Sequence, residues 1–262
     1  MRTNKPNYDY NILKHEYGWQ TDATFLNSLR DKKVILVGPA EYMMGRNLGK
    51  EIDDYDVIVR MNLSCPVPEN LYKDIGSRTD ALYHLMMRNQ HVKRAPDKLK
   101  LHDEEEIKSW QDDGVKWVVL KNDLASLEKR GGNAIKFMEA IKGRIDWTNV
   151  SGYKYRKLTS LTRNAPNMGT IAIYHLLLSN LKVLKVVGCD FHTTGYYVGY
   201  GGFDEEQAKL GAGGGPCWGQ GRTRPVRNRV HDLRGQVDYL RHVVATERRL
   251  VIDDRLVEVL GA

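Results

Sequence analysis

The chain has 262 residues, of which 41% are hydrophobic, 9% aromatic and 28% charged. This composition excludes an intrinsically disordered chain, because it supplies enough apolar side chains for a sizeable core. The formal net charge of +7 favours an acidic ligand such as a nucleotide or a phosphate, without requiring nucleic acid.

Strand and helix patterns alternate along the chain. Short apolar runs predict strands over 33–38, 56–61, 117–120, 183–188 and 249–252. Amphipathic patterns predict helices over 103–111, 132–141, 169–178 and 233–244. This alternation predicts a single α/β domain over 1–262, with a mostly parallel sheet covered by helices on both faces. Ligands bind where the strands of such sheets end, so the loops after Val37, Met61 and Val187 are the first candidate site.

One long segment does not follow this alternation. Residues 195–229 are rich in Gly, Tyr and Arg and carry no periodic apolar pattern. Within a compact domain, a segment of this kind is usually a lid, a binding loop or disordered. We predict a flexible lid or an acceptor-binding loop over 195–229.

The cysteines and the apolar stretches indicate a reducing compartment. Cys65, Cys189 and Cys217 cannot all pair and show no CxxC spacing, so neither a disulfide framework nor a structural zinc site is expected. The N-terminal residues contain no apolar signal-peptide core, and the most apolar stretch, 170–188, is interrupted by polar side chains. We therefore expect a cytoplasmic protein without a membrane span.

Residues 34–83 carry the most specific pattern of the chain. A glycine loop with neither GxGxxG spacing nor a Walker lysine follows the first strand. Arg60 and Asn62 end the second strand, where a guanidinium and an amide can bind a ligand or form loop hydrogen bonds. A polar turn follows at 74–79. The aspartate pairs at 53–54 and 253–254 are interpreted as solvated loop or strand-end charges.

These residues resemble the large sialylmotif of glycosyltransferase family 29, the eukaryotic-type sialyltransferases. The matching elements are the strand with its glycine, Leu48-Gly49, Glu51-Ile52-Asp53, Asp56-Val57, Arg60-Met61-Asn62 and Gly76-Ser77-Arg78-Thr79. Two more blocks follow in the expected order. Pro166-Asn-Met-Gly169 with Val186-Val-Gly188 resembles the small sialylmotif, and Val230-His231-Asp232 with Gln236 resembles the very small motif.

The sequence also departs from the family pattern. Pro39 stands where an asparagine is usual, Asn167 and Met168 replace hydroxyl residues, and Gln236 replaces a glutamate. The third motif has no clean counterpart, 192–197 being the nearest segment. These changes touch donor recognition, so the sugar need not be sialic acid. The cysteines of the family's secretory disulfide and its luminal membrane anchor have no counterpart either, which favours a bacterial or viral relative.

The resemblance implies a Rossmann-like fold of the modified GT-A type and a metal-independent, inverting transfer from a CMP-sugar to an acceptor hydroxyl. The CMP-sugar would be a co-substrate, and neither a cofactor nor a metal is expected. His231 would be the general base, which suits an imidazole because its ordinary pKa of about 6.5 lies near neutrality. The helix opened by Gly169 would offer its N–H groups and dipole to the donor phosphate.

The site residues follow from the resemblance and from the expectation that ligands bind where the strands of a parallel sheet end. Donor binding is predicted for Gly38, Pro39, Ala40, Arg60, Asn62, Asn167, Met168, Gly169, Gly188, Cys189 and Asp190. An acceptor or lid role is predicted for His192, Tyr196, Tyr197, Arg227 and Arg229. The alternative for His192 is an ordinary loop histidine. For Tyr196 and Tyr197 it is packing within the loop, and for Arg227 and Arg229 it is a solvated basic surface.

Three functions remain open. The first is transfer of sialic acid or a related keto-sugar acid such as Kdo to a glycan. The second keeps this chemistry with modified DNA as acceptor, based on the net charge and the arginine-rich segment. The third is a degenerate nucleotide-binding module, suggested by Gln236 and the unclear third motif.

Overall fold

The computed structural model describes residues 10–85, 104–121, 134–191, 193–202, 204, 205, 208 and 233–262. Within these ranges one sheet contains the strands β1 (Lys33–Val37), β2 (Val57–Met61), β3 (Ala81–His84), β4 (Trp117–Leu120), β5 (Asp146–Asn149), β6 (Val183–Val187) and β7 (Leu250–Ile252). The strand order is β5-β4-β3-β2-β1-β6-β7, and every neighbouring pair is parallel. The predicted parallel α/β sheet is therefore confirmed.

The helices that accompany this sheet vary from one turn to four. In the described ranges they are α1 (Tyr10–Tyr17), α2 (Asp22–Ser28), α3 (Gly49–Asp53), α4 (Tyr72–Ile75), α5 (Glu104–Asp112), α6 (Ala134–Ile141), α7 (Gly152–Leu161), α8 (Met168–Leu177), α9 (Leu233–Thr246) and α10 (Asp254–Leu260). In the part of the chain that the structure describes, each helix is too short or too polar to cross a bilayer.

Both faces of the sheet are covered, as β1 illustrates. Successive side chains of a strand point to opposite faces. Val34 and Leu36 pack in an apolar cluster with residues of α2, α8, α9 and α10. Ile35 and Val37 pack in another cluster, with residues of α3 and α4. The prediction of helices on both faces is therefore confirmed.

The sequence patterns identify five of the strands and four of the helices, each within two residues of its observed ends. Two strands are missed. β3 is short, and three of the four residues of β5, at the edge of the sheet, are polar. Helix α7 is missed because it buries only Leu158 and shows no apolar stripe.

The beginning of the segment 195–229 packs into the core. Tyr196, Tyr197 and Tyr200 are 6%, 1% and 2% exposed and belong to the cluster that covers β1. Within 195–202 these rings pack against apolar side chains, and a lid or acceptor-binding role for 195–229 stays a prediction. Most of the remaining segment, including 209–229, lies outside the described residues.

Candidate functional site

The strand order places a crevice between β1 and β6. From β1 the chain adds β2 to β5 on one side of the sheet and then returns to place β6 on the other side. At such a switch point the loops after the two central strands diverge, and ligands bind outside the carboxyl ends. Gly38 follows β1 and Gly188 follows β6, so both predicted glycines lie at this crevice.

The two glycine loops cross in close contact. Ala40 N–H donates to Gly188 O at 3.2 Å, and a Cβ built on Gly38 would lie 2.0 Å from the same oxygen. Gly188 has φ +71°, a conformation that side chains rarely adopt. The glycines are therefore required by the backbone crossing itself, which positions the floor of the crevice.

Helix α8 begins at the same edge. A Cβ built on Gly169 would lie 3.8 Å from both Cys189 Sγ and Met61 Sδ, so the first turn of α8 reaches the ends of β2 and β6. Asn167 caps the helix, since its Oδ1 accepts from Thr170 N–H at 2.8 Å. The N-terminus of α8, which is the positive end of the helix dipole, therefore borders the crevice. Gly169 has no side chain to block this end of the ten-residue helix.

Gln236 connects α9 to this helix terminus. Its side chain is fully buried, and its Oε1 accepts from Asn167 N–H at 2.8 Å and from the Thr170 hydroxyl at 2.9 Å. Next to it, a Cβ on Gly235 would lie 2.2 Å from Thr162 O, so α9 packs directly on the turn before α8. Sequence reasoning noted Gln236 only as a substituted glutamate and missed this connection.

Arg60 bonds mainly to the turn that follows α4. Its side chain is 0% exposed, and its Nη2 donates to Ile75 O at 2.7 Å and to Gly76 O at 3.2 Å. Its Nε donates to Thr79 Oγ1 at 3.0 Å. Burial lowers the pKa of Arg60, although nearby phenol, thiol and carboxyl groups oppose that effect. Most of the guanidinium therefore holds the 75–79 turn, whereas its Nη1 is buried without a partner among the described residues, and donor binding by Arg60 stays a prediction.

Other residues of the large-motif segment also bind one another. Asp53, which the sequence indicated as a solvated charge, accepts from Ser77 N–H at 3.0 Å and from the Ser77 hydroxyl at 3.0 Å. A Cβ on Gly49 would lie 1.9 Å from Tyr72 O. Most of this segment therefore builds the scaffold beneath the crevice.

Asn62 stands at the end of β2 in a left-handed conformation, with φ +50°. Its Oδ1 is buried and has no hydrogen-bond partner among the described residues. Unpaired buried polar atoms are rare, so Asn62 Oδ1 and Arg60 Nη1 are the predicted donor-binding atoms with unused hydrogen-bonding capacity among the described residues.

The loop after β1 pairs with the segment after β6. Ala40 is 3% exposed and forms an antiparallel bridge with Tyr196, while Pro39 O accepts from Tyr197 N–H at 3.1 Å. This burial favours the loop-packing alternative for Tyr196 and Tyr197 over an acceptor or lid role. The backbone of Pro39 and Ala40 thus forms one wall of the crevice.

The residues after Gly188 are arranged mainly by internal contacts. Asp190 is 3% exposed, and its Oδ2 accepts from the hydroxyls of Thr193 and Thr194 at 2.7 Å and from Thr194 N–H at 2.8 Å. The Asp190 carboxylate therefore orders the 190–194 loop, and its role in donor binding stays a prediction. Burial raises the pKa of the Cys189 thiol, which is therefore neutral at pH 7.

Three further side chains at this edge were missed. Tyr42 hydrogen-bonds to Asp253, and its hydroxyl accepts from Gly188 N–H at 2.7 Å. Asp253 also caps α10, accepting from Leu256 N–H at 2.9 Å, so it is not a solvated charge. Lys121, 4% exposed after β4, donates from Nζ to Pro166 O at 2.9 Å. The signal that could have identified Lys121 is its place in the sequence. It directly follows an apolar strand, at the sheet edge where ligands are expected to bind.

Four predicted residues lie outside the described ranges: His192, Arg227, Arg229 and His231. Met168, the first residue of α8, is 6% exposed and packs in the core. Within the described ranges, no three His, Cys, Asp or Glu side chains are grouped as potential metal ligands.

Known proteins with similar sequences are sialyltransferases. The sequence profile of glycosyltransferase family 29 (sialyltransferase) matches residues 13–127. CMP-N-acetylneuraminate-beta-1,4-galactoside alpha-2,3-sialyltransferases of Homo sapiens and Rattus norvegicus are 46% and 43% identical to this chain over 54 residues. That match covers 21% of this chain and only 14% of the length of those relatives. The family resemblance is thus confirmed by independent comparison for residues 13–127, which include the large-motif segment.

Solved structures of sialyltransferases align with a larger share of the chain, at low identity. A mammalian sialyltransferase in complex with Gal-beta-1-3GalNAc-ortho-nitrophenol has 14% identity and a TM-score of 0.47, over 96% of this chain and 81% of that one. The sialyltransferase CstII from Campylobacter jejuni, in complex with cytidine-5'-monophosphate, has 13% identity and a TM-score of 0.47. That alignment covers 85% of this chain and 80% of CstII.

Proposed function

Because residues 13–127 carry the sequence of glycosyltransferase family 29, the sialyltransferases, we propose that this chain is a glycosyltransferase that uses a CMP-sugar donor. The transferred sugar is sialic acid or a related keto-sugar acid such as Kdo, and the acceptor is the hydroxyl of a glycan. The observation that carries this proposal is the family match, which covers the loops after β1 and β2 at the switch point of the sheet.

The crevice suits the nucleotide part of such a donor. Its phosphate is an anion, and the N-terminus of α8 offers a helix dipole and N–H groups where Gly169 leaves room for close approach. The buried Oδ1 of Asn62 offers an acceptor for a hydroxyl or amino group of the nucleoside. The glycine loops at 38 and 188 supply backbone groups between these two elements.

The proposed reaction is an inverting displacement. The acceptor oxygen forms a bond to the anomeric carbon while the bond from that carbon to the CMP phosphate oxygen breaks, and its electron pair leaves with CMP. His231 takes the proton of the acceptor hydroxyl. CMP leaves as an anion that the positive end of α8 stabilises, so the proposal requires no divalent metal.

The degenerate-binder hypothesis is weaker than it was from the sequence alone. It rested partly on Gln236, but its bonds with Asn167 N–H and the Thr170 hydroxyl require only an acceptor oxygen, which an amide supplies as a carboxylate does. The DNA-acceptor hypothesis rests on net charge and on an arginine-rich segment that lies mostly outside the described residues, and we do not carry it forward.

A transfer assay tests the proposal. The chain is incubated with CMP-sialic acid or CMP-Kdo and a set of glycans, with EDTA or with magnesium, and free CMP and the glycoside are measured by mass spectrometry. We expect transfer that EDTA does not abolish. His231→Ala should reduce turnover by about a hundredfold to ten-thousandfold while CMP still binds.

The matched control is His242→Ala, which removes an exposed histidine of α9. It should leave turnover unchanged. Unchanged turnover in His231→Ala would refute the general-base assignment. Binding of CMP without transfer to any glycan would support the nucleotide-binding module, and failure to bind CMP would refute the proposal as a whole.

A further inference from the structure

The turn after β6 is held by residues that follow the two strands beside it. On the β1 side, Gly188 O accepts from Ala40 N–H at 3.2 Å. Gly188 N–H donates to the hydroxyl of Tyr42 at 2.7 Å and to Asp253 Oδ2 at 3.2 Å. Tyr42 belongs to the loop after β1, whereas Asp253 directly follows β7. Both neighbours of β6 in the sheet therefore contact Gly188 through the residues that follow them.

Tyr42 and Asp253 are also bonded to each other, with the phenol donating to Asp253 Oδ2. Burial and the Asp253 carboxylate raise the pKa of Tyr42, so its hydroxyl remains protonated and able to donate. Asp253 Oδ1 accepts from Leu256 N–H at 2.9 Å, and this cap of α10 fixes the carboxylate in place. The two side chains thus form a preformed acceptor for Gly188 N–H.

The start of α10 contacts the same loop a second time. Arg255 Nη2 donates to Thr193 Oγ1 at 3.0 Å, and the Thr193 hydroxyl donates to Asp190 Oδ2 at 2.7 Å. Residues just after β7 therefore hold the loop at Gly188 and again at Thr193. These residues lie outside 13–127, the range that matches the family profile.

The conformation of this turn affects the proposed donor site. Gly188 is left-handed, with φ +71°, and the next residue, Cys189, places its Sγ 3.8 Å from the Cβ position of Gly169. Gly169 belongs to the first turn of α8, which is proposed to receive the donor phosphate. A rotation at Gly188 would therefore move Cys189 relative to this helix terminus, and displacements of about 1 Å in a site are costly.

We propose that Tyr42 and Asp253 are a pair of positioning residues that hold the 188–189 turn in the conformation that the donor requires. This inference rests on the proposed function, since the ligand is the CMP part of the donor. The pair acts through Gly188 and need not touch the donor itself. The segment after β7 thereby becomes part of the support of the donor site.

Two single variants break the pair and keep its surroundings. Tyr42→Phe keeps the ring, over which the Arg46 guanidinium lies 5.4 Å from the centroid, and Asp253→Ser keeps a side chain that can cap α10. Calorimetric titration should show that each variant weakens CMP binding by roughly fivefold, the usual effect of one hydrogen bond. Asp254→Ser is the matched control, because Asp254 is exposed at the first position of α10, and it should bind CMP as wild type.

The sign of the Asp253→Ser effect separates positioning from simple electrostatics. Removing a negative charge near a phosphate site would by itself strengthen the binding of an anion, whereas Tyr42→Phe leaves the net charge unchanged. Positioning predicts weaker binding in both variants. Tighter CMP binding in Asp253→Ser, or wild-type affinity in Tyr42→Phe, would overturn the inference. Because the two residues act as a pair, the double variant should lose less affinity than the product of the single losses, and a full product would also overturn it.

Steady-state kinetics give a readout that a loss of stability alone would not move. At temperatures well below the Tm of each variant, the KM for the CMP-sugar should rise by about the same factor as the Kd for CMP. The kcat at saturating donor should change by less than about twofold, because the pair holds the donor site and not the reacting atoms. A lower kcat with an unchanged KM would overturn the inference.

Hydrogen exchange in the ligand-free protein tests the contact itself. The Gly188 amide should exchange at least tenfold faster in the double variant than in wild type. The Val115 amide, which donates to Trp110 O at 2.9 Å just after α5, should exchange equally in both. Equal exchange of the Gly188 amide would overturn the inference. Failure of wild type to bind CMP would refute the proposed function, whereas wild-type CMP binding with unaltered affinity in both single variants would overturn this inference alone.

Discussion

Replacing Gln236 by leucine tests whether α9 is fixed to the start of α8. The side chain is fully buried, and leucine has a similar volume, so the main loss is the acceptor shared by Asn167 N–H and the Thr170 hydroxyl. A buried donor left unpaired costs about 1–3 kcal/mol. For two donors, we expect Gln236→Leu to lower the free energy of unfolding by about 2–6 kcal/mol.

Thermal and denaturant unfolding measure this loss. For a chain of this size, the expected decrease in Tm is at least about 4 °C. Gln111→Leu is the matched control, because Gln111 is exposed on α5 and bonds only to Arg144 among the described residues, so its replacement should change stability by less than about 0.5 kcal/mol. Equal stability of the two variants would refute the claim that Gln236 connects the two helices.

Three further predictions follow from the same geometry. Gly38→Ala should destabilise the chain by at least about 3 kcal/mol, because its Cβ would collide with Gly188 O, whereas Gly169→Ala should fold normally and bind CMP more weakly. Arg60→Met should lower the free energy of unfolding by about 3 kcal/mol or more, since the bonds of Arg60 are to the scaffold. At temperatures well below the Tm of this variant, its affinity for CMP should equal that of wild type. Burial lowers the pKa of His175 although Asp22 opposes it, so the unfolded state binds the proton more readily and the free energy of unfolding should fall as the pH drops below about 6.5.

Each of these predictions has a contradicting outcome. A Gly38→Ala variant as stable as Gly169→Ala would show that the two loops do not cross as described. Loss of CMP affinity in a folded Arg60→Met variant would place Arg60 in the donor site. For His175, the pH dependence between about 5 and 6.5 should flatten in His175→Leu; an unchanged slope would show that another group titrates there.

The sheet was predictable where burial on both faces produces continuous apolar runs. Strands β1, β2 and β6 are mostly apolar, and the glycines that follow β1 and β6 indicated the site. The expectation that ligands bind at strand ends then placed Gly38 and Gly188 at the same edge. Strand β5 escaped prediction because Asp146, Thr148 and Asn149 interrupt any apolar pattern, although the sheet still buries three of its four residues.

The direction of individual side chains was not predictable. Arg60 and Asn62 occupy alternate positions at one strand end, yet Arg60 turns to carbonyls of a loop that follows it in sequence while Asn62 retains an unused oxygen. The burial of Tyr196 and Tyr197 depends on pairing with residues much earlier in the chain, Ala40 and Pro39. Local composition cannot reveal such pairings, so a tyrosine-rich loop was interpreted as a lid.

The measurement that tests the central claim most directly is thermal stabilisation by CMP, CDP, UDP, GDP and ADP, each with and without magnesium. A ligand at a hundred times its dissociation constant adds about 2.7 kcal/mol of stability. For a chain of this size that corresponds to a Tm increase of about 5–10 °C. We predict that CMP produces this increase without magnesium and exceeds the other nucleotides. A larger increase with UDP or GDP, a requirement for magnesium, or no increase with CMP would contradict the assignment of a CMP-sugar donor.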